Sequence, residues 1–167
     1  SGLAEQYGVI DQVDVIVGTL GKALGSMGAF TLFRDKLMSD YLINFSGEFI
    51  YSTYLSPSCA AVASAAIDLL IDVDRKRAQS TATDTRNRIC KLGLSVHTGN
   101  SPIVPIYTGN EEQTLSLRDR ILKSNILVGA VRPPTVPSNE SRIRLSLKNK
   151  MSTDVVDKLL TAFKEAL

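Results

Sequence analysis

The sequence predicts an α/β fold, because segments with the pattern of β-strands alternate with segments that have helical spacing. An apolar run at Val13–Val17 precedes a glycine-rich turn, which favours a strand there. Arg142–Leu147 alternates between polar and apolar residues, as in a strand with one covered face. Residues 57–71 are small and apolar nearly all round, which indicates a helix packed between two layers. We therefore expect strands and helices to share one layered architecture.

The elements after the first strand follow the same alternation. Ala29–Phe33 has the composition of a second strand. Asp35–Phe45 has helical spacing, with Leu37, Tyr41 and Leu42 on one side. Ser56 and Pro57 then favour a helix start, since serine suits the N-cap and proline suits the first turn.

The helix that begins at Pro57 is predicted to be long. Its composition turns polar from Asp72, and the helical pattern continues to Cys90. Gly93 follows as a C-cap, because glycine adopts the left-handed backbone that ends many helices.

The last third of the chain is predicted to be a compact αβ unit. Ile103–Tyr107 has the pattern of a strand, and Pro105 argues for an edge position because proline lacks the N–H that a central strand donates. A helix from Asn110 to Ser124, a strand at Ile126–Val131 and a final helix from Ser152 complete this unit. The apolar side of the final helix is predicted to comprise Val155, Val156, Leu159, Leu160 and Phe163.

These elements divide the chain into residues 1–95 and residues 96–167. The first part has few strands for its length, and a sheet with so few strands needs further partners. We therefore expect residues 1–95 to be the remainder of a larger domain whose N-terminal portion is absent from this sequence. The alternative is a small domain completed by oligomerisation.

Composition excludes several classes of function. The chain has 167 residues, a net charge of +2 and 44% apolar residues, which favours neither a nucleic-acid-binding surface nor a membrane protein. Cys59, Cys90 and the single histidine, His97, do not have the spacing of a metal site. We therefore expect no metal, no nucleic acid and no membrane as partners, and a cytoplasmic location.

The most informative motif is the glycine-rich turn Gly18–Gly28, which carries Lys22 directly behind the first strand. A lysine in a crevice formed by such a turn is less protonated, and its free amine is a usable nucleophile. A phosphate-binding P-loop is excluded, because Ala23 stands where Ser or Thr is required and Ile16 where glycine is required. Taken alone, the turn fits a solvated surface lysine equally well.

Three segments together resemble the α-oxoamine synthases, pyridoxal-phosphate (PLP) enzymes of the fold-type-I aminotransferase superfamily. They are GTLGKALGSMG at 18–28, FIYSTYLSP at 49–57 and VRPPTVPSNESRIRLSL at 131–147. The resemblance implies the C-terminal half of that fold. By this resemblance, residues 1–95 are the remainder of the large PLP-binding domain and include a long connecting helix. Residues 96–167 form the small C-terminal αβ domain.

The resemblance assigns cofactor roles to four residues. Lys22 matches the catalytic lysine that holds the PLP aldehyde, and Thr19 matches a hydroxyl that binds the PLP phosphate. Ser52 and Thr53 match a segment that reaches the same phosphate from the neighbouring subunit of a homodimer. For these two residues, a role as capping hydroxyls near Pro57 stays open.

The resemblance assigns substrate roles to the last motif. Arg144 matches the arginine that binds the amino acid's carboxylate, a task suited to the planar fork of a guanidinium. Arg142 shares the predicted face, so spacing alone does not distinguish the two arginines. Arg132 and Thr135 match a segment that lines the site, where Arg132 meets a distal carboxylate of the acyl substrate.

The implied reaction is a decarboxylating condensation of an amino acid with an acyl thioester carried by coenzyme A or by an acyl carrier protein. The Arg132–Pro137 segment favours the members of the family that use L-alanine and a pimeloyl thioester. Two alternatives remain, namely a 2-amino-3-ketobutyrate CoA ligase or 5-aminolevulinate synthase, and an inactive fragment or interaction module. The aspartate and the ring-stacking histidine of the family lie upstream of Ser1.

Overall fold

The computed structural model describes residues 2–71, 75–149 and 151–167. It divides into two compact units, Ser1–Asp72 and Val73–Leu167. No helix within the described ranges is long and apolar enough to cross a lipid bilayer.

The first unit is built on a β-hairpin. Strand β1, Val15–Thr19, pairs antiparallel with β2, Ala29–Phe33. The helices of this unit are α1 (Leu3–Gln6), α2 (Lys36–Phe45), α3 (Gly47–Ile50) and α4 (Pro57–Ile71), and a 3₁₀ turn covers Ile10–Gln12. The predicted second strand is confirmed residue for residue, and the first lies two residues later than predicted.

The second unit is a four-stranded antiparallel sheet with helices packed on one of its faces. The strands are β3 (Ser95–Val96), β4 (Ile103–Gly109), β5 (Gly129–Val131) and β6 (Ser141–Ser146), in the spatial order β3-β4-β6-β5. The helices are α5 (Arg75–Cys90), α6 (Glu111–Lys123) and α7 (Thr153–Ala166).

The core of the second unit follows from the alternation of its strands. Val104 and Ile106 on β4, and Ile143 and Leu145 on β6, face the helices and are buried. They pack with apolar residues of all three helices in one cluster, in which Phe163 of α7 is fully buried. The opposite face of the sheet carries none of the described helices of this unit, and we call it the open face.

The boundary between the units lies earlier than the residue 95 predicted from the sequence. Helix α5 packs on β3, β4 and α7, and its Ile89 belongs to the core of the second unit. The residues at which the long helix was predicted to continue, 72–74, lie outside the described residues. Helix α5 ends as predicted, because Gly93 has a φ of 83° and donates its N–H to the Cys90 carbonyl at 2.9 Å.

The predicted edge position of the Pro105 strand is wrong, because β4 lies between β3 and β6. The Pro105 carbonyl accepts from the His97 N–H at 3.0 Å, so the Pro105 nitrogen also faces the β3 side. Since β3 is two residues long and ends at Val96, the missing donor of Pro105 falls where the ladder has already ended. Proline is therefore tolerated at this position because the neighbouring strand is short, as it would be on an edge strand.

Candidate active site

The loop that carries Lys22 is closed by backbone hydrogen bonds at both ends. The Leu20 N–H donates to the Gly28 carbonyl and the Ser26 N–H to the Leu20 carbonyl, each at 2.9 Å. Within the loop, the Gly25 N–H donates to the Lys22 carbonyl at 3.1 Å, and Gly25 has a φ of 61°, which glycine adopts without strain. Lys22 therefore begins a tight turn of defined backbone geometry.

The Lys22 side chain is exposed and has no hydrogen-bond or ion-pair partner within 2–71, 75–149 and 151–167. The expectation that this amine lies partly desolvated in a crevice is wrong for the described chain. The reason is that no described residue covers the tip of the loop, whose only buried residue is Leu20. What the loop supplies by itself is an unpaired amine on a fixed backbone.

The Lys22 loop is tied to the start of α4 by two contacts. The Ser26 hydroxyl donates to the Cys59 carbonyl at 2.7 Å. A Cβ atom at Gly28 would lie 2.7 Å from Cδ1 of Leu55, so glycine permits the close approach of this leucine. The segment that contains Ser52 and Thr53 therefore leads directly into a residue that touches the Lys22 loop.

The hydroxyl groups assigned to the phosphate are free. Thr19, Ser52 and Thr53 are exposed, and their hydroxyls have no hydrogen-bond partner among the residues described. The hydroxyls that pair near the start of α4 are those of Ser56 and Ser58, at 2.7 Å. The described structure therefore gives Ser52 and Thr53 no capping bond, and their assignment to a phosphate stays a prediction.

Arg144 lies on the open face of the sheet in the second unit. Its direct neighbours on the flanking strands are Pro105 and Gly129, neither of which has a polar side chain. A Cβ atom at Gly129 would already lie 3.5 Å from the Arg144 Cβ. The Arg144 side chain is exposed and has no hydrogen-bond or ion-pair partner in the described part of the chain.

Arg142 lies on the same face, but its guanidinium is bonded to Glu140 through Nε and Nη2. Its Nη2 donates to Oε2 of Glu140 at 3.0 Å and its Nε to the Glu140 backbone carbonyl at 2.9 Å. The guanidinium carbon lies 4.8 Å from the centre of the Tyr107 ring, within the range of a cation–π contact. The structure thus separates two arginines that sequence spacing does not distinguish.

Arg132 and Thr135 lie on the segment between β5 and β6. The Arg132 guanidinium forms an ion pair with Glu111 in the first turn of α6. The Thr135 N–H donates to the Arg132 carbonyl at 3.0 Å, which closes a turn, and the Thr135 side chain is exposed. Arg132 must therefore release Glu111 before it can bind a substrate carboxylate. Arg144 has no such partner among the described residues.

The residues that surround Arg142 were not predicted from the sequence. Glu140 and Tyr107 were assigned no role, and His97 was considered only as a metal ligand and set aside. The structure joins His97 to this group, because its Nδ1 lies 3.1 Å from the Tyr107 hydroxyl. The two-residue spacing of Glu140 and Arg142 at the start of β6 was a visible signal for their pairing. The contacts of Tyr107 depend on strand register, which the sequence does not encode locally.

Comparison with known proteins identifies the family. The sequence pattern of the family described as aminotransferase class I and II matches residues 2–163. The chain belongs to this family. The 8-amino-7-oxononanoate synthase of Geobacter metallireducens is 37% identical over 150 residues, which cover 87% of this chain and 38% of that protein.

Two solved structures have the same fold as the chain. A serine palmitoyltransferase of Sphingomonas wittichii matches with a TM-score of 0.92 and 25% identity, over 99% of this chain and 42% of that one. The 8-amino-7-oxononanoate synthase of Francisella tularensis matches with a TM-score of 0.76 and 27% identity, over 90% of this chain and 44% of that one.

These matches confirm the resemblance to the α-oxoamine synthases and the α/β fold of the C-terminal part of fold-type-I enzymes. This family member spans about two fifths of the length of the relatives it matches.

Proposed function

We propose that the protein carrying this chain is a PLP-dependent acyltransferase that makes 8-amino-7-oxononanoate, an intermediate of biotin biosynthesis. The reaction condenses L-alanine with a pimeloyl thioester of coenzyme A or an acyl carrier protein and releases carbon dioxide. Relatives with this name, which match most of the chain, support the choice.

The observation that carries the proposal is the free guanidinium of Arg144. It is an exposed cation on a sheet face, flanked by the apolar Pro105 and by Gly129, and it has no partner among the residues that the structure describes. A guanidinium offers a carboxylate two parallel hydrogen bonds, and these are among the stronger ones in proteins. Arg144 is therefore suited to bind and orient the carboxylate of an amino acid.

The free groups of the first unit fit the cofactor in kind. A PLP molecule needs an amine for its aldehyde and hydroxyl or N–H donors for its phosphate. Groups of these types, without a partner in the described ranges, are those of Lys22, Thr19, Ser52 and Thr53. When bound, PLP supplies an electron sink for the amino acid's α-carbon. Lys22 would hold the cofactor, and its amine would move the α-proton of the amino acid as general base.

The exposure of Lys22 implies that further residues enclose it in the working enzyme. We assign these residues to the remainder of the protein and to a second subunit, in a homodimer with shared active sites. The cytoplasm is the proposed location, and the free thiols of Cys59 and Cys90 are in keeping with a reducing compartment.

A second candidate within the same family is a serine palmitoyltransferase, which would use L-serine and a palmitoyl thioester. It is favoured by the TM-score of 0.92 to the Sphingomonas wittichii enzyme, against 0.76 to the Francisella tularensis synthase. Arg144 and Lys22 would have the same roles in either enzyme, so these residues do not choose between them.

The test is a substrate profile of the full-length protein with PLP. L-alanine, L-serine and glycine are each combined with pimeloyl-CoA and with palmitoyl-CoA, and release of coenzyme A is measured. Turnover that requires L-alanine and pimeloyl-CoA supports the proposal. Turnover with L-serine and palmitoyl-CoA selects the second candidate, and turnover with glycine alone contradicts both.

A further inference from the structure

Arg142 and Arg144 are neighbours on one face of the sheet, yet only one of them is available to a ligand. Residues two apart on a strand share a face and lie about 7 Å apart. Two free guanidinium groups at that spacing would offer partners to both carboxylates of a dicarboxylic amino acid. In the structure the Arg142 guanidinium is paired with Glu140 through its Nε and Nη2 atoms, and Arg144 has no such partner among the described residues.

The occupation of Arg142 rests on several contacts at once. Glu140 supplies a carboxylate oxygen and its own backbone carbonyl, and the Tyr107 ring supports the guanidinium from the strand opposite. His97 fixes the Tyr107 hydroxyl by a hydrogen bond. As a result the Arg142 side chain is only 19% exposed, and its charge is balanced by that of Glu140.

We propose that Glu140 is a specificity-determining residue that restricts carboxylate recognition on this face to Arg144. This inference rests on the proposed function, in which Arg144 binds the amino-acid substrate. By neutralising Arg142, Glu140 leaves one guanidinium free, which suits an amino acid with a single carboxylate. A side-chain carboxylate near Arg142 would find its partner taken and would meet the negative charge of Glu140.

The decisive variant is Glu140→Gln in the full-length protein with PLP. The Arg142 Nε bond to the residue-140 backbone carbonyl does not depend on the side chain, so Arg142 keeps a tether while its charge loses compensation. Dissociation constants of L-alanine and L-aspartate are measured by isothermal titration calorimetry. We expect the affinity for L-aspartate relative to L-alanine to rise about tenfold, the size of one charge-assisted hydrogen bond.

Two further variants test whether the effect passes through Arg142. In the double variant Glu140→Gln/Arg142→Gln, the affinity ratio is expected to return to that of the unchanged protein. Arg142→Gln alone leaves Glu140 uncompensated, so the ratio is expected to fall below the starting value. This opposite shift keeps the inference testable if Glu140→Gln fails to fold.

The matched control is Glu165→Gln, which makes the same charge change on α7, in the helix layer behind the sheet. A rise of the ratio in this control equal to that in Glu140→Gln would overturn the inference, and so would an unchanged ratio in Glu140→Gln. Arg144→Lys distinguishes a failure of the proposed function from a failure of the inference about Glu140. If it leaves L-alanine binding intact, the proposed function fails; if it weakens that binding while Glu140→Gln has no effect, only the inference fails.

Discussion

Arg142 and Arg144 have the same chemistry and the same orientation on β6, and their neighbours make them different. Arg144 lies between Pro105 and Gly129, which offer it nothing to bind. Arg142 lies opposite Tyr107 and two residues after Glu140. Since a charged group without a partner is the one available to a ligand, the function of the face depends on these neighbours rather than on the arginines themselves.

A residue-scale prediction concerns the Thr19 hydroxyl, which we assign to the phosphate of PLP. Thr19→Val keeps the shape of the side chain and removes its hydroxyl. We expect the dissociation constant of PLP for the full-length protein to rise about tenfold, because one hydrogen bond to a charged group is lost. Titration of the protein with PLP, followed by absorbance, measures this constant.

The control for Thr19 is Thr31→Val on β2, the paired strand of the same hairpin. Thr31 is exposed, and it has no assigned role. Equal weakening by both substitutions would show that the hairpin, and not the Thr19 hydroxyl, determines PLP affinity.

The candidate residues could be proposed from the sequence, whereas the contacts and exposure of their side chains could not. Lys22 and Arg144 were assigned from short sequence motifs, which can be recognised without a structure. The pairing of Arg132 with Glu111 and the exposure of Lys22 depend on what packs nearby, and no local pattern encodes that. This is why the predicted crevice around Lys22 was wrong for the described chain.

At the scale of elements, helix starts and strand limits that depend on neighbouring residues in the sequence were predicted well. Asn110 is the N-cap of α6, and its side chain accepts from the Gln113 N–H at 2.8 Å, as the capping pattern predicts. The limits of β2 match the prediction. The strand predicted at Ile126–Val131 is paired with β6 only over Gly129–Val131.

An element-scale prediction follows for the start of α6. Asn110→Ala removes the acceptor of the Gln113 N–H, so we expect the free energy of unfolding to fall by about 1 kcal/mol. Asn87→Ala, at an exposed position within α5, is the control and should leave stability unchanged or slightly raised, since alanine is the better helix former. Urea denaturation followed by circular dichroism measures both. A larger loss in the control than in Asn110→Ala would contradict the capping role.

At the scale of the whole molecule, the two units differ in how much core they contain. The described buried apolar residues of the first unit are Leu20 and Ala63, and α4 carries exposed Val62, Ile67 and Leu69. The helix expected to be packed on both sides is therefore largely uncovered in the described chain. The second unit has a continuous apolar cluster contributed by its sheet and its three helices.

This difference predicts that the second unit folds alone and the first does not. Residues 73–167, expressed separately, should unfold cooperatively on heating and run as a monomer on size-exclusion chromatography, because they bury a shared core. Residues 1–72 should remain unfolded or aggregate, since their exposed apolar surface lacks a cover. Cooperative unfolding of monomeric 1–72, or its absence in 73–167, would contradict this assignment of the core.

The most direct measurement of the central claim is chemical trapping of PLP on the full-length protein. The protein is incubated with PLP, reduced with borohydride and digested, and the modified peptide is identified by mass spectrometry. We predict a pyridoxyl group on Lys22, retained in Lys36→Ala and lost in Lys22→Ala. A reduced protein with no label on Lys22, or with its label on another lysine, would contradict the proposal that this amine holds the cofactor.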